Sequence, residues 1–266
     1  MKKCALAVLL LFCSGKAHAA HPLVSDDTGT QGQGKFQLEL NTEWSSTKTY
    51  EDGVSVKERG GETALALSYG LSDNIDLVLG LPYQWAEVKE DGAKVFDEDG
   101  IGDLSLELKW RFYESEESGF SMALKPGISF PTGDEKKELG NGEISGGTQL
   151  IATKEFGPLT LHANGGYTRN SYRLQETKEA SRRDIWNASL AAEYAISDKL
   201  KSVADIGIET NEDKESNTHP VFLLGGLIYS VSENFDVDFG IKAGLNDAEP
   251  DTTLPKIGRA SCRERV

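Results

Sequence analysis

The sequence predicts an all-β fold, an antiparallel up-and-down transmembrane β-barrel of twelve strands. Three observations carry this. Apolar and polar residues alternate with a period of two from residue 34 onward. The connections sort into short turns and long acidic loops. Beyond the N-terminus no apolar run approaches the ~20 residues that a helical span needs. The chain has 266 residues, 28 Lys+Arg against 43 Asp+Glu and a formal net charge of −15. That acidity argues against a nucleic-acid partner, because phosphate binding needs a basic face. It does not argue against a membrane barrel, whose alternating strands average out as polar.

The two ends read differently from the body. Residues 1–19 have the form of a secretory signal peptide. Lys2 and Lys3 form its charged start, Cys4 to Cys13 its short apolar run, and Ala17-His18-Ala19 a small-x-small cleavage site. At the other end, KIGRASCRERV (256–266) loses the alternation and turns basic. It resembles the in-frame translation of a common sequencing adapter, so the reading sets it apart from the fold. Without both ends the body is more acidic still. The ends hold Lys2, Lys3, Lys16, Lys256, Arg259, Arg263 and Arg265 against a single acid, Glu264. They also hold all three cysteines, so disulfides and thiolate chemistry are excluded from the body.

Taken in order, eleven segments alternate. Phe36, Leu38, Leu40 and Trp44 oppose Gln37, Glu39, Asn41 and Glu43. Leu65, Leu67 and Tyr69 oppose Ala64, Ala66 and Ser68. Ile75, Leu77, Leu79, Leu81, Tyr83 and Trp85 make one face, with Asp76, Gly80 and Gln84 on the other. Leu104, Leu106, Leu108, Trp110 and Phe112 oppose Asp103, Ser105, Glu107, Lys109 and Arg111. Met122, Leu124, Ile128 and Phe130 oppose Ser121, Lys125 and Ser129. Segment 144–156 is ambiguous. Leu159, Leu161 and Tyr167 oppose Thr160, His162 and Asn164; Trp186, Leu190 and Tyr194 oppose Asn187, Ser189 and Glu193. Ile206 and Ile208 oppose Asp205 and Glu209. Val221, Leu223, Leu227 and Tyr229 follow, and Phe235, Val237, Phe239 and Ile241 oppose Asp236, Asp238 and Lys242. Many of these segments have the length that a tilted strand needs to cross a bilayer.

Short connections fall at 70–74, 114–119, 157–158, 197–199 and 231–234. Long acidic ones fall between them, at 47–61, 87–100, 132–143, 170–184 and 211–218. One rim of short turns and one of long loops describes an outer-membrane barrel. A repeat supports it: Tyr69-Gly-Leu-Ser-Asp-Asn-Ile75, Tyr194-Ala-Ile-Ser-Asp-Lys-Leu200 and Tyr229-Ser-Val-Ser-Glu-Asn-Phe235 share one pattern. Each places an interfacial tyrosine before a polar turn. Lipid offers no hydrogen-bond partners, so the strands must close. Eleven is an odd count for a single-chain bacterial barrel. Asp251-Thr-Thr-Leu254 reads as the start of a twelfth strand, truncated where the basic tail begins, with both chain ends in the periplasm. The expected divisions are 1–19 signal peptide, 20–33 a periplasmic or lumenal segment, 34–255 barrel and 256–266 tail.

The stretch from His21 to Glu39 resembles the opening of a family of Gram-negative outer-membrane proteins described as the MetA-pathway of phenol degradation. LVLGLPYQ (77–84), DGIGDLSLELKWRFYE (99–114), LKPGISFPTGD (124–134), LIATKEFGPLTLHANGGYTRN (150–170) and LGGLIYSVSENFDVDFGIKAGLN (224–246) carry the same likeness. It covers nearly the whole body and departs only at the C-terminus, where a final strand ending in an aromatic is expected. The resemblance implies an outer-membrane transporter and suggests passage of small compounds, aromatic or hydrophobic ones among them.

The alternation assigns Asp103, Glu107, Lys109, Arg111, Lys125, Glu193, Asp205, Glu209, Asp236, Asp238 and Lys242 to the lumen. There they either set the field of a pore or fill the barrel as salt-bridge ladders. Trp44, Tyr69, Tyr83, Trp85, Trp110, Phe112, Tyr167, Trp186, Tyr194, Tyr229 and Phe235 are assigned to interfacial aromatic girdles. His21 with Asp26 and Asp27 has no diagnostic metal spacing. The body holds only His21, His162 and His219, none placed as a base beside a serine, and no cysteine, so no catalytic site is assigned. The expected protein is a passive outer-membrane channel for small-molecule solutes. It has no cofactor, no metal and no nucleic-acid partner; membrane lipid surrounds it and the barrel-assembly machinery inserts it. A structural or adhesive barrel without a conducting pore is the alternative, and an outer-membrane hydrolase a more distant one.

Overall fold

A computed structural model describes residues 22–51, 53–249 and 252–262; the expected signal peptide lies outside them. The described chain forms one antiparallel sheet. In chain order its strands are β1 (Phe36–Glu51), β2 (Val54–Ser72), β3 (Ile75–Glu90), β4 (Ala93–Ile101), β5 (Leu104–Ser115), β6 (Phe120–Phe130), β7 (Ser145–Phe156), β8 (Leu159–Arg169), β9 (Asp184–Ser197), β10 (Leu200–Glu209), β11 (Val221–Ser232), β12 (Phe235–Gly244) and β13 (Thr252–Cys262). Each strand pairs with its sequence neighbour except β4 and β5, which both pair with β3, and β1 closes the ring against β13 from Phe36↔Cys262 to Ser46↔Thr252.

Thirteen segments make twelve staves, because β4 and β5 share one. β3 pairs with β5 over Ile75–Gly80 and with β4 over Tyr83–Glu90. The break between them, Gly102-Asp103, falls opposite Pro82. Proline has no N–H to offer a ladder, and Gly102 instead donates its own to the Pro82 carbonyl at 2.9 Å.

Three details differ from the sequence reading. The first two acidic connections are not open loops: β1, β2 and β3 run on to Glu51, from Val54 and to Glu90, and β4 adds a fourth strand. At 16, 19 and 16 residues, β1 to β3 exceed the ~9–11 that cross a bilayer. The surplus stands beyond the long-loop rim as a four-stranded extension. Val56 and Val88 are buried on its inner face, with Val54 and Phe96 packed beside them. Charge density hid these strands, since acidic side chains tolerate a solvated sheet. The second detail is the twelfth stave, which runs through Thr252–Cys262 and so past residue 255, where the alternation ends. The open edges of β1 and β12 supply backbone partners whatever side chains follow. The third is the ambiguous segment: in β7, Ile151 is fully buried and Leu150 is 44 % exposed, so Ile151 and Thr153 face inward.

The repeat has a structural cause. In each copy the residue two after the tyrosine (Leu71, Ile196 or Val231) drops out of the pairing register. The resulting bulge lets a two-residue turn close the hairpin.

Candidate functional site

The barrel is inside out. Leu40, Trp186, Leu190, Ile206, Leu223 and Phe239 are 45–62 % exposed on the outer wall. Glu39, Asp76, Lys125, His162, Asp205 and Asp238 are buried within. Water-facing sheets do the reverse; an apolar exterior of this extent is stable only against lipid.

Of the residues assigned to the lumen, Glu107, Lys109, Lys125, Glu193, Asp205 and Asp238 are buried. Asp103, Arg111, Glu209, Asp236 and Lys242 are half-buried. The structure brings several together. Lys125 lies 3.6 Å from Glu107. Glu193 accepts from Lys201 at 3.0 Å and lies 3.7 Å from the His162 ring. Lys242 pairs with Glu249 at 2.9 Å. Asp103 serves the rim: its carboxylate accepts N–H groups from Gly133 at 3.0 Å and Asn141 at 2.9 Å, which draws that loop over the mouth.

The N-terminal segment occupies the centre. From Pro22 to Lys35 it crosses the lumen from the β10–β11 wall to the β2–β3 turn, bonded at each step. Leu23 packs in a cluster with Ala191, Val203, Phe222 and Leu224. Val24 and Ser25 donate their N–H groups to Asp205 Oδ2 at 2.8 and 2.7 Å. Asn164 accepts the Asp26 N–H at 2.8 Å and donates to the Asp26 carbonyl at 2.9 Å. Thr28 donates its N–H to Thr153 at 3.2 Å, and Gln31 donates its own to Asp76 at 2.9 Å. The segment then passes Gly70 so closely that a Cβ there would lie 1.9 Å from the Gly32 carbonyl oxygen.

Asp26 holds the middle of this crossing. Lys109 Nζ lies 3.0 Å from its Oδ1 and Lys125 Nζ 2.7 Å from its Oδ2. Burial alone would push the Asp26 carboxyl up. The two ammonium groups outweigh it and hold the carboxyl well below the usual carboxylate range. Sequence reasoning considered Asp26 only as a metal ligand and so missed this role. The available signal was charge balance: Lys109 and Lys125 are inward cations on neighbouring strands of an acidic barrel. Among the described residues no cluster of His, Cys, Asp and Glu is arranged to hold a metal ion. Asp27 accepts from Lys109, and His21 lies outside the described residues.

A vestibule opens on each side of the crossing. The one toward the long-loop rim has a volume of about 180 Å³ and is lined by Val24, Gln84, Asp103, Gln149, Asn187 and Phe222, among others. The one toward the short turns has about 300 Å³, with Asp27, Thr28, Arg111, His162, Glu193 and Asp236 in its wall. Along the segment Val24 lines the first and Asp27 to Gly29 line the second, with Ser25 and Asp26 between the two linings.

Nine of the girdle residues (Trp44, Tyr69, Tyr83, Trp110, Phe112, Trp186, Tyr194, Tyr229 and Phe235) are 39–62 % exposed on the outer wall. Trp85 and Tyr167 are half-buried; Tyr167 packs on Trp186 with ring centroids 4.5 Å apart. On β9, Trp186 and Tyr194 stand eight positions apart, about 26 Å along the strand. At a tilt of about 40° the two rings stand about 20 Å apart along the barrel axis, just inside an outer-membrane apolar band about 25 Å tall.

A closed, lipid-facing ring of twelve staves with exposed aromatic residues on its outer wall and a polar, segment-filled interior is an outer-membrane β-barrel. A family model described as "Putative MetA-pathway of phenol degradation" matches residues 24–255, and the chain belongs to that family. Among solved structures, the fold resembles an outer membrane channel from Pseudomonas putida F1. The TM-score is 0.68 and the identity 15%, with 89% of this chain and 98% of that chain covered. It also resembles the NanC porin (TM-score 0.53, 11% identity, 85% and 100% covered). The translocator domain of the autotransporter NalP from Neisseria meningitidis is similar too (0.51, 14%, 88% and 89%). At these identities the likeness is one of fold. No curated protein matches the chain.

Proposed function

We propose that this protein is a passive outer-membrane channel for small solutes, aromatic or hydrophobic compounds among them, with the N-terminal segment as its internal gate. The observation that carries the reading is the lumen: two vestibules separated by a strap one chain thick. The strap is held by hydrogen bonds and one buried ion cluster rather than by a packed apolar core. Movement of the strap by a few ångströms joins the vestibules. The family description and the fold likeness to an outer membrane channel support the same reading. In this orientation the long loops face outward and the chain ends lie in the periplasm. Surrounding lipid and the barrel-assembly machinery are the other partners, and the chain acts without catalysis.

The closed partition favours one rival, a structural barrel that never conducts. Planar-bilayer recording of the purified protein separates the two. Discrete, voltage-driven openings support the channel, whereas silence from both wild type and a strap-weakened variant of proven fold refutes it.

A further inference from the structure

The outer face of the β1–β4 extension carries a feature that solute passage does not use. In the cross-strand register Lys48 lies opposite Lys57, Lys57 opposite Lys89, and Lys89 opposite Lys94. Directly opposed residues share a face, with Cβ atoms about 5 Å apart, and like charges so placed repel. Arg59 sits one same-face position below Lys57. In a chain with a net charge of −15, this is a strong local reversal of sign.

The face is the lipid-facing one. Along β1 it continues upward from Leu40 and Trp44, and along β3 from Leu81 and Trp85. Trp44 and Trp85 both lie opposite Gly61. The alternate residues Val56, Glu58 and Val88 are buried on the inner side. From the two tryptophans to the lysine row is four residues, about 13 Å along the strands. With strand tilt that spans the polar zone above the hydrocarbon.

Carboxylates share part of this face. Glu87 lies 2.6 Å from Lys89 and 3.2 Å from Lys94, and Asp97 lies 2.7 Å from Lys94. Asp99 accepts from Tyr83. Arg59 lies opposite Glu87 in the register, but the ion pairs of Glu87 are with Lys89 and Lys94, so the β1–β2 half is the less compensated one. Among the described residues, Lys57 and Arg59 have no ion-pair partner, and Lys48 only covers the Tyr50 ring, 5.0 Å from its centroid.

We propose that this face docks the phosphorylated headgroups of glycolipid in the leaflet at the long-loop rim. Lys48, Lys57 and Arg59 are the phosphate ligands, and Trp44 and Trp85 are the ledge on which the lipid's upper chains rest. The charge is complementary, and the site is continuous with a wall already built for lipid.

The test uses the full-length protein in detergent and measures retention of a phosphorylated lipid A-type glycolipid at low salt. It compares wild type with the triple variant Lys48→Gln/Lys57→Gln/Arg59→Gln and with the paired-side variant Lys89→Gln/Lys94→Gln. Heat-modifiable gel mobility reports the fold of each. The triple variant should bind at least about tenfold more weakly and the paired-side variant much less so. Added salt should erase the difference, and the dephosphorylated glycolipid should bind wild type no better than the triple variant. Equal retention by wild type and triple variant, or equal retention of the dephosphorylated lipid, overturns the proposal. So does displacement of the lipid by inorganic phosphate at equal concentration, which would make the row a simple phosphate site.

Discussion

Replacing Asp26 by Asn should open the barrel without unfolding it. The change leaves shape and the backbone bonds to Asn164 in place. It removes the negative charge between Lys109 Nζ at 3.0 Å and Lys125 Nζ at 2.7 Å. Both cations are buried, so neither regains full hydration. Lys125 keeps only Glu107 at 3.6 Å, and Lys109 keeps Asp27 at 3.4 Å. Removing one partner of a buried ion cluster costs about 3–5 kcal/mol. Here most of that cost weighs on the strap's docked state, because the strands keep their own ladders. At about 1.4 kcal/mol per power of ten, the docked-to-released ratio falls by roughly two to three and a half powers of ten. Single-channel recording reads this directly as open probability. Asp27→Asn is the control: its partner is farther away and the carboxylate is 30 % exposed, so its effect stays below about 1 kcal/mol. If Asp26→Asn folds, inserts and conducts like wild type, the ion cluster is not what holds the strap, and the gating argument fails.

Acid should act as the same mutation does. The Asp26 carboxyl is held below its ordinary value of 3.8. Its contribution is therefore complete above that value and is lost as pH falls through the lower, docked-state value. Conductance recorded from pH 8 downward should stay flat until about pH 4 and rise only below it; a rise already between pH 7 and 5 would show that Asp26 is not the group that acid acts on. Gly70→Ala places a methyl group 1.9 Å from the Gly32 carbonyl oxygen, so the strap's exit must shift; protease should then reach residues 29–35 in the folded barrel where wild type resists. On the outer wall, Leu190 is 62 % exposed and its neighbour Ala191 only 4 %; Leu190→Lys should destabilise the bilayer-inserted form by up to about 2–4 kcal/mol in urea titrations, and no loss would mean this wall does not face hydrocarbon.

Much of this was legible in the residues because one physical constraint repeats along the chain. A strand between lipid and a wet lumen must alternate, so Trp186, Leu190 and Tyr194 separate from Asn187, Ser189 and Glu193 before any coordinates are known. Less legible was anything that depends on distant pairing. The extension strands were hidden because Lys48, Lys57, Lys89 and Lys94 look like loop residues until the register lines them up. The stave through 256–262 carries no alternation and is placed by the unpaired edges on either side. The strap's anchor was obscured for a third reason. Asp26 acts with Lys109 and Lys125, eighty-three and ninety-nine positions away, and no local spacing announces such a triad.

The seam between β1 and β13 has a consequence for how the molecule comes into being. Its two edges lie far apart in the sequence, so the first hairpin waits with an unsatisfied border until β13 has been made. No shorter intermediate has a ring. Until that moment the chain must be sheltered from premature pairing with its neighbours, and the cylinder exists only once β1 and β13 have met.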